Sequence, residues 1–158
     1  MVGTERIRAW ASLLLLSKLD DKPAELMVTA FVRAKMAERL AVASGATNPE
    51  SYYMVGLFSV VDALINVPMP DAIQLLPFSK PIREALVHHE GPIGSVLKCV
   101  LAYETGDWTG AQASKVDGGT LRQSYMDAVS AARKMPKLSK QDRKELNSPP
   151  EVSANLRR

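Results

Sequence analysis

The sequence predicts an all-α fold, and three observations carry that expectation. Apolar residues recur at spacings of three and four through most of the chain. No run alternates apolar and polar residues with period two over a useful length, which disfavours strands. Residues suited to starting and stopping helices punctuate the apolar segments. With 158 residues, 46% of them hydrophobic, the chain has the size of one domain and enough apolar material for a core. That content speaks against disorder throughout.

Thr4 is placed to cap a first helix reaching about residue 19, with Ile7, Trp10, Leu14 and Leu15 near one face. Asp20, Asp21 and Pro23 mark a break and a restart. A second helix is expected over residues 22–44, where Met27, Ala30, Ala34, Ala37 and Ala41 keep one stripe. The small residues of that stripe imply close helix approach, and Gly45 can end the helix in a left-handed turn. Asn48 and Pro49 open a third helix whose body, residues 52–65, is apolar nearly all round, as suits a central buried element. Pro68 and Pro70 end it, and a short turn over 71–76 follows.

Ser79 is positioned to cap a helix to about residue 90. Gly91-Pro92 starts another, through Ile93, Val96, Leu97, Val100 and Leu101, closed by Gly106. Two further helical stretches are expected over 108–115 and 120–135, with Gly118-Gly119 as a turn between them. From Pro136 onward sizeable apolar residues are few and Ser148-Pro149-Pro150 breaks any helix. Residues 4–135 are therefore expected to form the domain. Residues 136–158 are expected to form a flexible basic tail, with at most one helical turn near 139–146.

The net charge of +3 conceals an asymmetry. Residues 133–158 hold eight basic and three acidic side chains, net +5, against twelve and fourteen over residues 1–132, net −2. A uniformly basic surface that tracks nucleic acid is not supported. The tail from Arg133 to Arg158 reads as a solvated end. Its alternative reading is an electrostatic tether to nucleic acid or another anionic surface, although it lacks the interleaved aromatics that stack single strands. One cysteine, Cys99, excludes a disulfide scaffold within the chain. Leu13 to Leu16 is far short of the roughly 18 apolar residues of a membrane helix, so a soluble protein of a reducing compartment is expected.

Catalytic chemistry finds little support in the residue pattern. The two histidines are neighbours in His88-His89-Glu90, and adjacent helical residues point about 100° apart, which suits a solvated helix end better than chelation of one ion. Cys99 lies inside an apolar segment with no flanking base and reads as a small buried hydrophobe. No nucleophile elbow, Walker loop or dinucleotide fingerprint is present. Arg33, Glu38 and Asp62 lie on or beside apolar faces, where an unpaired charge is costly. They read as an internal polar network in which Arg33 or Lys35 partners Asp62, or as a pocket for an anion or other ligand. Trp108, after Gly106-Asp107, packs over a loop or serves an interface.

Several segments together resemble a known family. Arg6-Ile7-Arg8-Ala9-Trp10-Ala11-Ser12-Leu13-Leu14 and Asp20-Asp21-Lys22-Pro23 come first, followed by Val32-Arg33-Ala34-Lys35-Met36-Ala37-Glu38. Tyr53-Met54-Val55-Gly56-Leu57-Phe58-Ser59-Val60-Val61-Asp62-Ala63-Leu64, Glu90-Gly91-Pro92-Ile93-Gly94 and Tyr103-Glu104-Thr105-Gly106-Asp107-Trp108 continue in order. Over residues 4–132 these strings resemble the HDOD domain, the HD-related output domain of bacterial signalling proteins, in the form that follows an EAL domain in cyclic-di-GMP signalling.

The resemblance implies an HD-domain-like helical bundle. HD enzymes hold catalytic metals with a His-Asp pair in a Gly-Leu-Leu-His-Asp-like segment. The corresponding stretch here is Gly56-Leu57-Phe58-Ser59-Val60, with serine and valine at the metal-binding places, and the second helix has no histidine for the upstream ligand. The expectation is a non-catalytic, cytoplasmic, protein-binding regulatory module with no cofactor and no metal. Its expected partner is an EAL-domain protein or a second copy of itself, and nucleic acid and membrane are not expected partners. HDOD domains of this kind begin with further helices ahead of the Arg-Ile-Arg segment. The chain is thus expected to be the C-terminal part of an EAL-HDOD-type protein, lacking the bundle's N-terminal helices. Trp10, Leu13 and Trp108 are then candidates for an interface. The competing readings are a degenerate metal-dependent phosphohydrolase using His88, His89 and Asp62, and a nucleic-acid binder acting through the tail.

Overall fold

A computed structural model describes residues 24–74, 76–112 and 116–134. The expected first helix near residues 4–19 and the tail beyond 136 lie outside the described residues. Eight helices and no strand are found among the described residues: α1 Ala24–Ala43, α2 Pro49–Phe58, α3 Val61–Ile65, α4 Met69–Gln74, α5 Lys80–His88, α6 Gly91–Thr105, α7 Trp108–Gln112 and α8 Gly118–Arg133. The fold is all-α.

The small stripe of α1 is buried as its spacing requires. Ala30, Ala34 and Ala41 are fully covered, Ala37 nearly so, and Met27 partly. Val32, Met36 and Leu40 are covered too, so α1 is walled in on two sides, chiefly by α2 and α8. The close approach is on the α2 side. A Cβ built at Gly56 would stand 2.6 Å from the Ala34 backbone nitrogen and Cα and from the Arg33 carbonyl oxygen. Only a residue without a side chain fits there, and it brings the two helix backbones together. Gly45 ends α1 at φ +71°, with the Ala46 amide donating to the Ala41 carbonyl at 2.9 Å, and Gly106 ends α6 at φ +76°.

Two apolar clusters share α1 and α6. One gathers Ala30, Ala34, Val55, Leu57, Phe58, Val61, Leu64, Ile73, Leu86 and Leu97, and includes an edge-on contact of Phe58 with Phe78 at 4.8 Å. The other gathers Met36, Leu40, Tyr52, Cys99, Val100, Ala111, Leu121 and Ala128, and draws in α7 and α8. Cys99 is 1% exposed, and its thiol donates to the Ala111 carbonyl at 3.3 Å.

The structure corrects several local expectations. The third helix is not continuous to residue 65: α2 stops at Phe58 and α3 resumes at Val61. Ser59 stands at the break, where its hydroxyl donates to the Gly56 carbonyl at 2.7 Å, a local competitor for helical bonding that apolar periodicity does not reveal. α3 itself ends on Asn66 in the left-handed conformation at φ 54°, before Pro68. Residues 71–76, expected as a turn, belong in part to α4, which carries Pro70 in its first turn, where the missing amide costs nothing.

Asn48 and Ser79 occupy N-cap positions, but neither side chain makes a capping bond. Asn48 donates instead to the Ser51 hydroxyl at 3.0 Å. Gly118 and Gly119 are not a separate turn but the first residues of α8. Asp117 caps that helix by accepting from the Thr120 amide at 2.9 Å, and also bonds the Thr120 hydroxyl.

Candidate functional site

The polar residues predicted as one group, Arg33, Glu38 and Asp62, fall in three separate places. Arg33 projects from α1 toward the end of α6. Its Nε donates to both oxygens of Glu104, at 3.1 and 2.9 Å, and its Nη2 stands 2.9 Å from Oε2. Its Nη1 donates to the Ser59 hydroxyl at 3.2 Å. One guanidinium thus ties α1, the α2–α3 break and the last turn of α6, in the forked geometry that arginine favours with a carboxylate. The Arg33 and Glu104 side chains are only 19% and 21% exposed. Burial pushes the Glu104 carboxyl above its usual pKa, and the adjacent Arg33 charge and hydrogen bond pull it only part of the way back.

The expected pairing with Asp62 is therefore not formed. Arg33 is engaged by Glu104, and Lys35 reaches Glu38 at 3.0 Å on its own helix while its ammonium lies 5.6 Å from the centre of the Tyr53 ring. No hydrogen bond or ion pair joins Asp62 to Arg33, Lys35 or Glu38, whereas its backbone carbonyl accepts from the Val67 amide at 3.2 Å to close α3. The reason is topological. Asp62 follows the break in the helix, so the periodicity that would bring it into line with the residues before Ser59 is interrupted there.

Glu38 contributes to a second place, an open groove of about 440 Å³ between α1 and α8. Lys35, Glu38 and Arg39 line it from α1, and Thr120, Gln123 and Asp127 from α8. Arg39 spans it to Asp127 at 2.8 Å, with side chains 52% and 31% exposed. Two cations and two anions thereby pair with one another within the groove.

His88 is the last residue of α5, and His89 follows in the left-handed conformation at φ 55°. Both are exposed. Desolvation and the nearby Lys98 charge lower the His89 pKa. Among the described residues no three His, Cys, Asp or Glu side chains converge as metal ligands, so His88, His89 and Asp62 are not brought together as such a set.

Trp108 opens α7 and is 61% exposed. Its ring meets Tyr103 edge-on at 5.4 Å, and Tyr103 lies 5.2 Å from Tyr125 of α8, so the indole rests against an aromatic row yet leaves most of its surface to solvent. Trp10 and Leu13 lie outside the described residues. Sequence reasoning missed Glu104, Ser59 and Asp127 as partners. Glu104 and Ser59 sit 71 and 26 positions from Arg33, and neither stands on a face whose periodicity would mark it.

No helix among the described residues is long and apolar enough to cross a membrane. No family model matches the chain, and no solved structure matches it. Two curated proteins do. The chain is 28% identical over 133 residues to the cyclic di-GMP phosphodiesterase CdgJ of Vibrio cholerae serotype O1, a match covering 80% of the chain and 31% of the relative. It is 25% identical over 135 residues to the uncharacterized protein YuxH of Bacillus subtilis strain 168, covering 82% of the chain and 33% of that protein. The chain spans about a third of the length of these curated relatives.

Proposed function

We propose that this chain is a non-catalytic regulatory module of bacterial cyclic-di-GMP signalling, of the HDOD type, that acts in the cytoplasm by binding protein. The observation that carries the reading is the match of four-fifths of the chain to about a third of a cyclic di-GMP phosphodiesterase. In that relative the matched stretch is covalently joined to about twice its own length of further protein, which leaves room outside it for a separate working part. The junction of Arg33, Glu104 and Ser59 supports the same reading. Arg33, from the middle of α1, is engaged by Glu104 in the last turn of α6 and by Ser59 at the α2–α3 break, the role of a scaffold rather than of a poised acid, base or nucleophile.

The partner we infer is an EAL-domain phosphodiesterase or a second copy of the chain, met through apolar residues among which Trp108 is exposed and Trp10 and Leu13 are further candidates. Light scattering behind size-exclusion chromatography tests this. The purified chain is run alone and with one equivalent of the remaining two-thirds of CdgJ as the probe. A dimer, or co-elution with that probe weakened by Trp108→Ala, is the expected result. A monomer that elutes independently of the probe overturns the reading.

A further inference from the structure

We draw no further inference here: the strongest candidate, the exposed Trp108 on the partly buried Tyr103 and Tyr125 where α6, α7 and α8 meet, carries nothing because nothing in the structure shows what covers it.

Discussion

Helix α1 packs on α2 and on α8 in two unlike ways, each with an arginine beside the contact. On the α2 side the helices touch backbone to backbone at Gly56 and Ala34, and Arg33 closes the junction with a side chain only 19% exposed. On the α8 side the helices pack through Met36, Leu40, Leu121 and Ala128, and Arg39 crosses an open groove beside that packing with a side chain 52% exposed. Both arginines make ion pairs shorter than 3 Å. Length does not distinguish them. Solvent does: an exposed pair trades water for protein at little gain, whereas a covered pair leaves a charge stranded when one partner is removed.

The largest effect should come from forcing a side chain into the tight contact. Gly56→Ala places a Cβ 2.6 Å from backbone atoms that cannot swing aside. A loss of about 3 kcal/mol in denaturant unfolding is expected, at the upper end of overpacking costs. A loss below about 1 kcal/mol would show that α1 and α2 can slide apart freely.

Arg33→Met comes next, with an expected cost of about 2 kcal/mol, because Glu104 keeps its covered position without its cation. The same variant sharpens the electrostatic side of the comparison. Carbon-detected NMR titration should find the Glu104 pKa above its ordinary 4.5 in the parent chain, and higher again in Arg33→Met. Since folding raises this pKa, the folded chain holds the proton more tightly than the unfolded one. The stability contributed by Glu104 is therefore fully present below pH 4.5 and is lost as pH rises through the folded value. A Glu104 pKa that falls when Arg33 is replaced would contradict the pairing.

Arg39→Met should cost less than about 0.5 kcal/mol, as exposed pairs do, and that small cost should shrink further in high salt. Equal losses for the two arginine variants would break the comparison, because exposure would then not be what separates them.

The smallest effect is expected at the start of α8, where a carboxylate behaves oppositely to Glu104. Hydrogen bonds from the Thr120 hydroxyl and amide hold the Asp117 carboxyl below its ordinary 3.8. Its stabilisation is present above that ordinary value and is lost as pH falls through the folded one. Thr120→Val removes the hydroxyl and keeps the amide, so the Asp117 pKa should rise part of the way toward 3.8. An unchanged titration would show that the amide alone sets it.

What the sequence determined about this protein is its local grammar. Helical spacing with no alternating run fixes the all-α class, the alanine stripe marks residues of α1 that are covered, and Gly45 and Gly106 fix two helix ends. Each depends on residues within a turn or two of one another, where backbone sterics decide the outcome. The tertiary structure alone decided the rest. An apolar run from 52 to 65 gives no sign that it divides at Ser59, because the division is stabilised by Arg33 of another helix as well as by the Gly56 carbonyl. Arg33 was recognisable as a charge in need of a partner, but the choice of Glu104 over Asp62 spans 71 positions. Burial makes a partner necessary; only the packing of α6 across α1 determines which carboxylate arrives.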